Sequence, residues 1–131
     1  MEFDWLAADV AGQLAQMLSS GTGRVPEVAL ASEETLFALH LFLDELPVRE
    51  PLSIPEGSFE ALLAQPQRRG LFVYDASGRP VDDTGRSDDY ALVAAPAQPL
   101  TLEQVPEALR GVIVRIPERF GGDETVRVEG I

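Results

Sequence analysis

Two runs rich in apolar residues, broken once by a turn, fill most of the first eighteen positions. Residues 3–8 are a run of strand formers. Asp9-Val10-Ala11-Gly12 then puts Asp first and Gly fourth in a type I turn, a common connection in a bulged hairpin. The chain returns over 13–18 as a second strand, with Leu14, Gln16 and Leu18 on one face and Ala15 and Met17 on the other. Residues 19–23, Ser-Ser-Gly-Thr-Gly, predict a flexible loop whose exit Pro26 stiffens.

After Ser32 the period lengthens to that of a helix. Ser32 is a cap, and Glu33 and Glu34 stand at the positive end of the helix dipole. The helix runs to about Leu46, where Pro47 stops it. Leu36, Leu39, His40 and Leu43 share one face, and Phe37, Phe42 and Leu46 widen the arc, so this helix is expected to be well buried. Pro47, Pro51, Pro55 and Gly57 make 47–57 an irregular connector, and Ser58 caps a second, short helix over 59–65.

Strands are predicted at 70–74 and 89–94, separated by a long, polar, acidic and exposed loop over 76–89. Thr101 and Gln104 fit a capping box, but Pro106 would clash inside that helix. The better start is Pro106 itself, with an end at Gly111. Dense β-branching gives 111–116 a central place in the sheet, and the alternation of 125–128 marks an edge strand. The order predicts an α+β fold: a mostly antiparallel sheet of about five to six strands, with two to three helices on one face. At 131 residues with no internal repeat, this is one domain.

Composition narrows the function more than the fold. Ten basic residues against 22 acidic ones give a net charge of −12 and a pI near 4.3. That balance argues against nucleic acid and anionic membranes as partners, since both are bound through positive charge. Cysteine is absent, which removes disulfides, thiolate catalysis and Cys-type zinc sites. Lys and Asn are absent too, a codon bias that points to a GC-rich bacterial genome. No basic n-region precedes an apolar stretch, and the most apolar run, 36–43, is far short of a membrane span, so a cytoplasmic protein is expected.

Candidate chemistry is sparse. Asp83-Thr84-Gly85 spells the aspartic protease triplet, but in a polar loop rather than after an apolar strand. Asp82, Asp83, Asp88 and Asp89 crowd that loop without the alternating spacing of a calcium site. They form a candidate docking patch for a basic protein. His40, the only histidine, lies in the apolar arc of the first helix, where a core role with one hydrogen bond to the sheet is the simplest reading. Gly21-Thr22-Gly23-Arg24 lacks the spacing and the Lys of a phosphate loop. No catalytic set, metal site or cofactor is predicted.

The opening Phe3-Asp4-Trp5-Leu6-Ala7-Ala8-Asp9, with Gly12, Ala15 and the exit Gly21-Thr22-Gly23-Arg24-Val25-Pro26, resembles a group of small, uncharacterised bacterial proteins. Residues 70–75 and 90–96 are similar to that group's second half. These motifs are hairpin and turn residues, so the resemblance implies a shared scaffold and brings no catalytic residues. In size and acidity the chain is also similar to the small immunity proteins that neutralise secreted bacterial toxins.

Two functions are therefore expected to compete. One is a non-enzymatic, acidic protein-interaction domain, immunity-like, contacting a basic partner through Asp82, Asp83, Asp88 and Asp89. The other is a small-molecule-binding domain with a pocket between the first helix and the sheet, where His40 supplies the polar group and Trp5 reports on it. A monomer or a homodimer suits either.

Overall fold

A computed structural model of the chain describes residues 4–128. Phe3, the first residue of the predicted hairpin, lies outside them. The fold is α+β. Strands β1 (Asp4–Ala8), β2 (Leu14–Leu18), β3 (Phe72–Asp75), β4 (Asp89–Ala94), β5 (Val114–Arg115) and β6 (Thr125–Arg127) form one sheet in the order β5-β1-β2-β3-β4-β6. Helices α1 (Glu33–Asp44) and α2 (Phe59–Leu63) lie in the crossover between β2 and β3. Short 3-10 segments occupy Glu27–Leu30, Gln65–Arg69, Leu102–Gln104 and Glu107–Val112.

The sheet is mostly antiparallel, as expected, but not purely so. β1 and β2 pair antiparallel, as do β3 with β4 and β4 with β6, but β2 pairs parallel with β3 and β1 parallel with β5. The long helical crossover causes the first parallel pair, since it carries the chain back to the starting end of the sheet before β3 begins.

The β1–β2 turn forms as its residues dictate. Gly12 donates to the Asp9 carbonyl at 3.0 Å with φ +79°, a conformation favourable to glycine. The Asp9 side chain adds two bonds of its own: Oδ1 accepts from Ala11 N–H at 2.9 Å and Gln13 N–H at 2.8 Å. The face assignment of β2 also holds. Leu6, Ala8 and Leu14 pack with Leu36, Leu39 and Leu43 of α1 and with Leu100, Val105 and Val112. Trp5, Ala7, Ala15 and Met17 point the other way.

That other face is the inside of a curl. Val114 of β5 and Val126 of β6 stand at opposite edges of the sheet, yet both join the cluster of Trp5, Met17, Phe72, Tyr74 and Tyr90. The segment joining the two edges closes the gap. Phe120 inserts between Phe72 and Tyr74, at ring-centroid distances of 5.6 and 5.4 Å. Its N–H donates to Asp9 Oδ2 at 3.0 Å, and Gly121 N–H donates to the Tyr74 hydroxyl at 3.0 Å. The Glu118 carbonyl accepts from Val10 N–H, and its carboxylate accepts from Arg127 N–H on β6.

Two expectations are corrected here, and one holds. Residues 111–116 are neither a full strand nor central. The chain is 3-10 up to Val112, and the two residues of β5 form an edge. The β-branched side chains serve another purpose: Val112 and Ile113 face the α1 core while Val114 and Ile116 face the inner one. Thr101 and Gln104 do close a turn, with Gln104 Oε1 accepting from Thr101 N–H at 2.9 Å, and a separate 3-10 segment follows Pro106. Finally, α1 is less buried than its sequence promises. Leu36, Leu39 and Leu43 are buried, but Phe37 is 67% exposed and Leu41 46%.

The connector 47–57 is irregular but tethered. Buried Gln67 accepts from Ser53 N–H at 2.7 Å and donates to the Glu50 carboxylate and the Pro51 carbonyl. Glu50 in turn accepts from the N–H groups of Ala97 and Gln98.

Candidate functional site

The four aspartates of the 76–89 loop sit in an organised turn. Asp82 Oδ1 accepts from Thr84 Oγ1 at 2.5 Å, Thr84 N–H at 2.8 Å and Arg86 N–H at 3.2 Å. Gly85 N–H donates to the Asp82 carbonyl at 2.9 Å. Asp83-Thr84-Gly85 is thus the tip of an exposed Asx-type turn. Arg24 bridges to Asp82 and, through Nε at 2.5 Å, to Asp88. Asp89 pairs with Arg127 at 2.8 Å and with Arg79 at 3.9 Å. Arg86 reaches back to the Gly21 carbonyl at 3.2 Å. Four carboxylates are therefore set among four guanidiniums, and the loop is close to neutral as a unit. Of the four, only the exposed Asp83 carboxylate has no pairing.

Hydrogen bonds from Thr84 and Arg86, with a smaller contribution from the charge of Arg24, hold the Asp82 carboxyl down at about 2. A depressed carboxyl stabilises the folded state above its unfolded value near 3.8 and loses that contribution as pH falls through about 2. The turn should therefore persist in mild acid. The amide resonances of Thr84 and Arg86 should titrate with a midpoint near 2, and a midpoint near the ordinary carboxyl value would show that these bonds are not made in solution.

Residues 19–23, predicted as a flexible loop, are instead tied in place. Thr22 and Gly23 donate to the Ser19 carbonyl, Ser20 Oγ donates to Asp75, and Gly23 bridges to Ser87. Gly23 packs directly against Tyr90 and Ala76. A glycine is needed there because a Cβ would meet both neighbours below 3.0 Å.

Trp5 and His40 are not brought together. Trp5 is fully buried inside the curl, edge-on to Tyr90, and its Nε1–H donates to the Tyr90 hydroxyl at 3.1 Å. The hydroxyl donates onward to the Arg24 carbonyl at 2.9 Å, and burial pushes the Tyr90 hydroxyl up to about 12. His40 lies across the sheet, on the α1 side. Neighbouring strand positions face opposite ways, so the residue beside His40 is Asp4: His40 Nε2 is 3.1 Å from the Asp4 carbonyl. A carbonyl only accepts, so Nε2 carries the proton. This is the bond to the sheet expected from the sequence, but His40 is half-buried at the groove rather than in the core, because the wide apolar arc turns only Leu36, Leu39 and Leu43 fully inward.

His40 does line an open groove of about 760 Å³ between α1 and the hairpin, with Asp4, Gln16, Glu33, Leu36, Phe37 and Asp44. Along α1, Glu33, Phe37, His40 and Asp44 follow one another at spacings of four, three and four, so they form one stripe. Glu34 and Glu45 flank it, and both are exposed. A pocket here with His40 was expected, but its acidity was not, although the signal was present: residues 25–48 hold Glu27, Glu33, Glu34, Asp44 and Glu45 and no Lys or Arg.

The acids at the two ends of α1 are not equivalent. Ser32 caps the start, accepting from Thr35 N–H at 3.1 Å, and Glu33 and Glu34 suit the positive end of the dipole. Asp44 and Glu45 stand at the negative end, where the last turn contains no base. Replacing Glu45 by Lys should raise stability by about 0.3–1 kcal/mol at low ionic strength. Thermal melts at low and high salt test this: a gain that salt does not diminish would have another origin.

Among the described residues no helix is long and apolar enough to cross a membrane, and no cluster of three or more His, Asp or Glu side chains is arranged to hold a metal ion. Compared with known protein families, curated proteins and solved structures, the chain matches none of them.

Proposed function

We propose that the protein is a non-enzymatic interaction domain that binds a basic protein, acting as an acidic inhibitor of its partner. The uneven distribution of charge supports this reading most. Guanidiniums match the loop acids, whereas five exposed acids over 27–45 have no base in their stretch of chain. A surface of one sign speeds encounter with an oppositely charged protein and disfavours acidic competitors. It also repels nucleic acid and anionic lipid. Within this reading Asp82, Asp83, Asp88 and Asp89 form a secondary contact, with Asp83 the member free to meet a partner.

Capture tests it. Tagged protein is incubated with lysate of its own host at low salt, eluted in rising salt steps, and the eluate identified by mass spectrometry. A basic protein released in one salt step is the expected result. A blank at every step, or capture indifferent to salt, overturns the reading.

The groove beside His40 favours one other function, a site for a small cationic ligand between helix and sheet. Trp5 faces the other side of the sheet, so its fluorescence is the wrong probe. Thermal shift against a panel of amines is the direct one, and this second reading fails if no amine raises the melting temperature.

A further inference from the structure

Resting on the interaction reading, we propose that the outward stripe of α1 docks an amphipathic basic helix of the partner protein. Three observations converge on this face. Glu33 and Asp44 are eleven positions apart, about 16 Å along the axis and three full turns, so they stand in line at the two ends of one groove. Between them lie the exposed rings and methyls of Phe37 and Leu41, next to His40. An aromatic side chain exposed to this extent beside a groove leaves apolar area in water that a partner helix would cover. The third observation is electrostatic. Asp44 and Glu45 lie at the end of the helix where negative charge destabilises it, and nothing basic offsets them in the last turn. A cation supplied from outside would relieve that repulsion.

Charge selects the occupant. A second copy of this chain would bring its own −12 and the same acidic stripe, so self-association through this face is disfavoured. The complement is a helix with Lys or Arg at two positions eleven apart, to meet Glu33 and Asp44, and apolar side chains one and two turns along between them, to cover Phe37 and Leu41. The carboxylate of Asp4 is not needed for this match.

A designed peptide tests the face without knowledge of the natural partner. The probe is a helical peptide of about 18 residues carrying Arg at two positions eleven apart with Leu between, and its control carries Glu for Arg. Titrated into isotopically labelled protein, the Arg peptide should shift amide resonances across residues 33–45, and the Glu peptide should shift none. Phe37→Ser, and the pair Glu33→Lys with Asp44→Lys, should each weaken binding about tenfold or more, while Asp83→Ser should leave it unchanged. All these positions are exposed, so the variants should fold as the parent does. No binding, equal binding of the Glu peptide, or shifts confined to 76–89 overturns the proposal. The same variants in the lysate capture separate the two ideas. A salt-released partner kept by the α1 variants preserves the interaction function and refutes this docking face. A partner lost with them supports the face, and no partner for the unmodified protein refutes the function itself.

Discussion

Gly23→Ala should destabilise the protein by about 3 kcal/mol, the cost of forcing a methyl into a packed core. A Cβ at this position would overlap the Tyr90 hydroxyl, lie 2.7 Å from Ala76 Cβ and 2.8 Å from Tyr90 Cζ. None of these neighbours can retreat easily. Ala76 is buried, and the Tyr90 ring is held by the Trp5 indole on one side and by its bond to the Arg24 carbonyl on the other. In a chain of this size the loss corresponds to a fall in melting temperature of about 10 °C. Urea unfolding followed by Trp5 fluorescence measures it, because that indole is the only one in the chain and touches the disturbed ring. Adding Tyr90→Phe provides a sharper check. It deletes the closest overlapping atom but leaves Cζ and Ala76 in place, so the double variant should recover part of the loss beyond what the singles predict. Strict additivity would mean that Gly23 does not meet Tyr90 at all.

Asp9→Ala should be nearly as damaging, costing about 3 kcal/mol. This carboxylate is 3% exposed and accepts three backbone N–H bonds, two within its own turn and one from Phe120. Alanine strands all three donors, and the Phe120 N–H is buried where water does not readily replace the lost oxygen. Asp9→Asn distinguishes the two roles. Its amide oxygen can still accept from Ala11 and Gln13, but the NH₂ then opposes the Phe120 N–H. The turn should survive while the 116–121 segment loosens. Hydrogen exchange should thus quicken at Phe120 and Gly121 in both variants, and at Ala11 and Gln13 only in Asp9→Ala. Uniform protection at Phe120 in both would show that the segment is held by its ring alone.

Local chemistry was readable wherever neighbours in sequence decide the outcome. The Asp9–Gly12 turn, the two faces of β2, the bounds of β4 and the Ser32 and Ser58 caps each depend on residues within five positions of one another. What was not readable depended on distant pairing. No local pattern separates a parallel from an antiparallel neighbour when the crossover is long, so the two parallel pairs within a mostly antiparallel sheet were hidden. Residues 111–116 looked like a central strand because side chains that pass from one core to another are as apolar as those of a doubly covered strand. The loop acids looked available because Arg24 and Arg127, which neutralise them, come from elsewhere in the chain. Phe37 looked buried because apolarity alone does not say which side of a wide arc meets the sheet. Leu36, Leu39 and Leu43 took that side, and Phe37 and Leu41, one or two positions removed, were turned outward.

Closure of the sheet makes folding wait. β1 needs β5 as its parallel neighbour, and the bond from Phe120 to Asp9 spans 111 positions. The Trp5–Tyr90 bond spans 85. Each such contact requires a large loop to be closed before any return is gained, which slows folding into the range of topologies dominated by distant contacts. On the ribosome, a nascent chain stopped before residue 114 would have its hairpin and α1 but lack the strand that covers the outer edge of β1. That edge would stay open to pairing with other chains. Vectorial synthesis therefore leaves one edge of β1 without its partner until Val114 and Arg115 emerge.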